Sequence, residues 1–331
     1  MMTPSYALTA TERVLPNLAL DFMTAVLDAR VTITRASNTA TAINSSGVIA
    51  VVNANLPRFD YNPTTLACRG LLIEEARTNV LLNSLIDGTS LATQTVAMTA
   101  AARTLSFYGT GQIVLSGAHS ATVTGTGAYP TRTTLTFTPT ASNLTLTVTG
   151  TVQFAQLETG SFATSFIPTD GTSKTRNADN VQMTGANFTS WYNQSAGAAM
   201  VDYEALAGTA GNQYGFRITG GTNSIHFGFR ESATLVRPIV SSVAGNSLAQ
   251  ASLSLRSCGT YDFTGNRKIG GTNGAISGAN TVGTIGTNTL AYIGSFNGGA
   301  GLLNGRMRKI SYWPQTLTDA EVRAFSKQET P

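Results

Sequence analysis

A chain of 331 residues predicts two or three domains with cores large enough to fold unaided, at roughly 100–200 residues per domain. Thr, Ser, Asn, Ala and Gly crowd the sequence while charged residues make up only 11%, which is an all-β composition because β-branched side chains alternate well on pleated sheets and Gly and Asn serve turns. The 21 basic and 17 acidic residues leave a formal charge of +4, but the Arg residues stand singly, which excludes a nucleic-acid stripe, and no window approaches an uninterrupted apolar span, which excludes membrane insertion.

In chain order, the apolar run Leu18–Leu27 is bounded and interrupted by Asp21 and Asp28, so it predicts neither a signal peptide nor a span, and the protein is expected to fold in a cytoplasm. Residues 1–82 read as an irregular β-rich module. Thr32–Thr34 is a short strand, Asn44–Gly47 a turn, and the segment Pro57–Pro63 is fixed by two prolines. Gly70–Glu75 then predicts a buried strand ending in two carboxylates. The apolar runs Gly70–Ile73 and Val80–Leu82 outnumber the regular structure available to bury them, which predicts a homo-oligomer such as a trimer.

From 83 to 172 the pattern becomes regular. Gln94–Met98, Thr104–Tyr108, Gln112–Leu115, Ala121–Thr124, Thr133–Thr138, Leu144–Val148 and Val152–Leu157 mostly alternate apolar residues with Thr or Ser between turn residues, which predicts a small antiparallel jelly roll. The polar stretch Ile167–Asp179 has no periodicity and predicts a linker. Alternation resumes in Ala199–Ala205, Tyr214–Ile218, Ser224–Phe229, Ser252–Leu255, Leu290–Gly294 and Met307–Trp313, so 178–331 predicts a second sandwich. Both faces of Met307–Trp313 are partly apolar, with Met307 on the face of Trp313, as expected of a strand with neighbours on either side. Thr318 with Glu321 has capping-box spacing for a short C-terminal helix that turns Leu317, Val322 and Phe325 to the sheet.

Chemistry is sparse. Glu74 and Glu75 are adjacent, so on a strand they point to opposite faces and cannot act as a glycosidase pair. His119 and His226 have no motif linking them to a Ser or Cys nucleophile. Three Gly-Thr-containing segments, at 109–111, 125–127 and 283–286, lack the helix and Lys of a phosphate loop and read as turns. Cys68 and Cys258 have no second ligand at metal spacing, and buried free thiols are favoured over a disulfide. Trp191 and Tyr192 are the candidate glycan contacts, weighed against packing, and Trp313 reads as core.

Three stretches resemble modular virion proteins of tailed phages. Thr34–Ser37, Leu56–Pro63 and Arg69–Asn79 are similar in order and spacing to the N-terminal module of head-spike and tail-fibre proteins. Leu105–Gly111 with Val152–Thr169 resembles the last strands of carbohydrate-binding jelly rolls, and Gly301–Phe325 resembles the end of laminin-G and concanavalin-A-like lectin domains. The resemblance implies an all-β chain of three parts: a virion-attachment module (1–82), a jelly roll (83–172) and a lectin-like sandwich (178–331). It implies Arg35, Arg58, Asp60, Glu74, Glu75 and Arg77 as structural residues of that module, with Glu74 and Glu75 pairing Arg77 or Arg69. A non-enzymatic spike or fibre that contacts other virion proteins and host polysaccharide is the implied function. A ligand-free head-decoration protein and a capsule depolymerase or esterase are the alternatives. Concanavalin-like sandwiches often hold Ca²⁺, but the single acidic residues Asp202, Glu204 and Asp262 do not constitute a site, so no cofactor is expected, with Ca²⁺ as the lesser alternative.

Overall fold

The computed structural model describes residues 15–206, 212–221, 223–241 and 243–328. Its described residues are all-β apart from short helical pieces, and they divide into two units, 33–179 and the combination of 15–32 with 180–328. The expected division was 1–82, 83–172 and 178–331.

The unit 33–179 contains the expected jelly roll. One sheet has the order Ala121–Thr124, Gln112–Gly117, Asn143–Thr149, Gln94–Ala97, and the facing sheet has Thr133–Phe137, Arg103–Tyr108, Gln153–Thr159. All pairs are antiparallel. Alternation does what the sequence requires: Leu144 and Leu146 are fully buried, while Thr145 faces outward and bonds Thr95 across the pair at 2.9 Å. The core joins them to Leu105, Phe107, Ile113, Leu115, Val152 and Leu157. Each such side chain contributes roughly 1.5–3 kcal/mol by leaving water.

Around this sandwich the same unit holds the hairpin Ala40–Ile43/Ile49–Val52, the pair Phe59–Tyr61/Cys68–Ile73 and the pair Arg77–Asn79/Lys174–Arg176. The last pair corrects the linker expectation. Residues 167–179 are not an open connection, because Lys174–Arg176 is a paired strand and Ile167, Arg176 and Asp179 are buried. The segment is polar because its side chains fill a buried ionic network, described below. Leu71, Leu72, Ile73 and Leu81 are buried, while Val80 is half-buried and Leu82 is exposed.

The other unit is a two-layer sandwich. One layer has the order Ala275–Ile276, Arg267–Thr272, Ser254–Asp262, Ala196–Ala205, Gly305–Trp313, and Leu18–Asp21 pairs with the far side of Gly305–Trp313. The facing layer runs Asn180–Thr184, Leu290–Ile293, Gln213–Thr219, Ser224–Arg230, Leu235–Val240, Leu248–Ala249. The terminal strand therefore has neighbours on both sides, as its two partly apolar faces require. A bulge corrects its phase. Asp202 faces Lys309 but Tyr203 faces Met307, so Arg308 is the extra residue and Met307 joins Ile310 and Tyr312 rather than Trp313.

Helix Asp319–Phe325 begins at Thr318, whose hydroxyl accepts from the Glu321 N–H at 3.3 Å while the Glu321 carboxylate accepts from the Thr318 N–H at 2.7 Å. Its Val322, with Leu317, packs on Ala198, Met200, Cys258, Ile269 and Trp313, and Phe325 lies against Trp313 at 4.6 Å between ring centroids. Both cysteines are free thiols. Cys258 is buried but Cys68 is only half-buried, a correction to the expectation that both would be inaccessible.

Candidate functional site

Of the residues named for the N-terminal module, Arg35, Arg58 and Glu74 meet in one buried network within the unit 33–179. The Arg58 guanidinium donates to the Glu74 carboxylate at 2.7 Å, to the Thr41 carbonyl at 3.1 Å and to the Asp179 carboxylate. Arg35 donates to Asp179 at 2.9 Å, and Arg176 reaches Glu74 at 3.1 Å. With Glu158, which accepts from Thr164 and Gln156, three guanidiniums meet three carboxylates out of water. Burial alone would raise the Glu74 carboxyl, but Arg176, Arg58 and Ser165 hold it well below the usual carboxylate range. Asp60 accepts from the Ile43 N–H at 2.9 Å. Glu75 turns the other way, towards solvent, and pairs with Arg77 at 2.5 Å, while Arg77 lies 4.6 Å from the Phe162 ring centre. The Arg77 half of the expected pairing thus holds for Glu75 only, and Glu74 takes Arg58 and Arg176 instead. This network organises the unit and presents no reactive group to solvent.

Trp191 is placed inward and Tyr192 is half-buried. Trp191 is 2% exposed, sits among Phe188, Phe216 and Tyr312, and gives its indole N–H to the Asn187 carbonyl at 2.8 Å. Tyr192 stacks on Phe188, and its hydroxyl is held by Gln194 and Asn288. A sugar ring needs an open aromatic face, and Trp191 offers none. Trp313 is core, as expected.

A different set of rings faces outward from the second layer of the other unit. Tyr214 and Phe216 flank Gly215 on one strand, and Phe227 and Phe229 flank Gly228 opposite it. Strict alternation would put Tyr214 and Phe229 on the inner face with Phe216 and Phe227. The glycines break the phase. A Cβ on Gly215 would meet Val201 at 3.1 Å, and one on Gly228, whose φ is +63°, would meet the Tyr203 ring at 3.0 Å, so both positions are pressed against the facing sheet. The Tyr203 hydroxyl fixes the kink by donating to the Gly228 carbonyl at 2.9 Å. Phe216 and Phe227 remain buried, while Tyr214 and Phe229 emerge half-buried and 4.7 Å apart.

Phe296, from the loop after Leu290–Ile293, completes the group at 5.2 Å from Tyr214. Beneath it the Arg217 guanidinium lies 4.0 Å from the Phe296 ring centre, in the cross-strand row that contains Tyr292 and His226. Tyr292 is half-buried like the others. The half-buried rings of Tyr214, Phe229, Phe296 and Tyr292 thus gather around Arg217, with Arg237 across from Phe229 and the Gly301 backbone against the Tyr214 ring.

His226 and Ser224, which no sequence motif joins, are brought together at 2.6 Å between Nε2 and Oγ. Burial and then the Arg217 charge push the imidazole down to about 3. Ser224 also accepts from Arg217 Nε at 3.1 Å, and no carboxylate touches the histidine ring among the described residues. Asp202 and Glu204 face Arg308 at 3.7 and 2.9 Å. No group of three or more His, Cys, Asp or Glu able to hold a metal occurs among the described residues, and none of their helices is long and apolar enough to cross a membrane. An open recess of about 380 Å³ in the unit 33–179, bordered by Asn38, Asp87, Asp170 and Lys174, contains no aromatic ring.

The sequence matches no family model and no curated protein. Among solved structures, the chain is similar to the CBM40 of the Ruminococcus gnavus IT-sialidase, with a TM-score of 0.36 and 12% identity over 43% of this chain and 88% of that one. It is also similar to the NanB sialidase of Streptococcus pneumoniae (TM-score 0.33, 16% identity, 43% of this chain, 26% of that one). The leech intramolecular trans-sialidase gives a TM-score of 0.36 at 14% identity, over 44% of this chain and 25% of that one. At these values the likeness goes no further than a β-rich fold.

Proposed function

We propose that the protein is a non-enzymatic, sugar-binding component of a tailed-phage virion, with the Tyr214–Phe229–Phe296 face as its glycan platform. The observation that carries the sugar-binding half is the pair of glycines that reverses strand phase and turns two aromatic rings outward beside Arg217. A core needs no such reversal. The virion half is supported by the resemblance of Thr34–Ser37, Leu56–Pro63 and Arg69–Asn79 to the phage attachment module. In this reading residues 1–82 contact other virion proteins, and the lectin-like sandwich contacts the host envelope. The Ser224–His226 pair supports a binding rather than a hydrolytic role, since a base this weak at neutral pH does not activate a hydroxyl that already accepts from Arg217.

The test is adsorption of the full chain to a panel of purified bacterial capsular and O-antigen polysaccharides. Wild type binds at least one of them, and Tyr214→Ala with Phe229→Ala weakens binding at least tenfold without a change in melting. Absence of binding to the whole panel would favour the shell-decorating alternative, and release of reducing ends would revive the depolymerase.

A further inference from the structure

We propose that the ligand of this face is an acidic glycan, a sugar bearing a carboxylate or a sulfate ester, and that Arg217 binds its charge. The proposal rests on the glycan-binding reading and narrows it.

The argument starts from what surrounds Arg217. Its guanidinium is half-buried, lies under the Phe296 ring at 4.0 Å, and is flanked by Tyr214, Tyr292 and His226. No carboxylate pairs with it among the described residues. Other arginines of the same unit are compensated: Arg237 pairs with Glu231 at 2.6 Å, and Arg308 with Glu204 at 2.9 Å. A half-exposed guanidinium held against aromatic rings without a carboxylate partner has its charge available to an anion from solution.

The geometry says how it would be supplied. Nε donates to Ser224 at 3.1 Å and one Nη donates to the Phe296 carbonyl, so the plane of the fork is fixed before any ligand arrives. The remaining N–H donors are not used by the described residues, and a planar fork matches a carboxylate or sulfate oxygen pair. The imidazole beside it is neutral at neutral pH, and Arg237, across from Phe229, is already paired with Glu231, so among the described residues around these rings Arg217 is the cation without a carboxylate partner. Tyr214, Phe229 and Phe296 would carry the sugar ring while Arg217 takes its acidic substituent. Replacing Arg by Lys keeps the charge but loses the fork and its stacking on Phe296.

The experiment presents the full chain with an array of neutral, carboxylated and sulfated oligosaccharides, including oligogalacturonate and oligoalginate, each carboxylated probe also as its methyl ester. Acidic probes are expected to bind, methyl esterification to weaken them about tenfold to a hundredfold, Arg217→Gln to bring acid and ester to the same level, and Arg217→Lys to retain part of the preference. Thermal melts of both variants confirm that each is folded. Equal affinity for acid and ester, or binding confined to neutral probes, would overturn the charge assignment and leave the glycan-binding reading standing. No binding to any probe would overturn both.

Discussion

Arg58 shows what a buried charge does in this protein. It is 1% exposed and touches both Glu74 and Asp179, so removing it leaves two carboxylates out of water with too few cations. Arg58→Met is expected to destabilise the unit 33–179 by about 3–5 kcal/mol. The check is the urea midpoint followed by far-ultraviolet circular dichroism, and a shift below about 1 kcal/mol would mean that the network is not organising that unit. Acid acts on the two units in different windows. His226 has a folded value of about 3 against an ordinary 6.5, so below pH 6.5 the unfolded chain takes up a proton that the folded chain refuses, and stability falls as pH drops towards 3. Glu74 is held below its ordinary 4.5, so the stability it brings is present above that value and is lost only as pH falls beneath it. Both tryptophans, Trp191 and Trp313, lie in the unit that contains His226. Tryptophan-selective fluorescence should therefore report a lower melting temperature at pH 5 than at pH 7, and His226→Gln should flatten that difference.

At the scale of elements, strands with one open face were readable and strands without one were not. Asn143–Thr149 alternates Leu with Thr and is legible nearly to the residue. Ser254–Asp262 is legible only at its start, because Arg256–Thr260 is buried throughout and shows no period. Arg267–Thr272 and Leu235–Val240 give no strand signal for related reasons, the first carrying Lys268 and two glycines in a buried strand and the second Pro238. The candidate face was hidden because Tyr214 and Phe229 obey inner-face parity on paper, and only the glycines between the rings reverse it. Phe296 comes from a loop with no periodicity at all. An aromatic-Gly-aromatic triplet on each of two adjacent strands is the signal that could have shown it. Gly228→Ala should cost roughly 1–3 kcal/mol through its left-handed backbone and its contact with Tyr203, and should weaken glycan binding more than it lowers the melt. Deleting 305–331 removes a strand paired on both sides together with the helix that covers Ala198, Met200 and Cys258. That loss exceeds the roughly 5–15 kcal/mol a domain holds, so no soluble, cooperatively melting product is expected.

For the whole molecule, the sequence pattern carried the all-β class and both sandwiches, while the division of the chain came from side chains that composition disguises. A polar stretch ordinarily reads as solvated, yet Arg176 and Asp179 are buried because their partners are charged too. Likewise Leu18–Asp21, which sits at the start of the expected attachment module, completes the sheet of the C-terminal sandwich by pairing with Gly305–Trp313. The central claim is that the outward face formed by Gln213–Thr219, Ser224–Arg230 and the Phe296 loop is where the protein meets a polysaccharide. Amide hydrogen exchange of the full chain, with and without a polysaccharide that it adsorbs, tests this most directly. The account predicts added protection in peptides covering 213–219, 224–230 and 290–301; protection confined to residues 33–179, or to peptides around Trp191 and Tyr192, would contradict it.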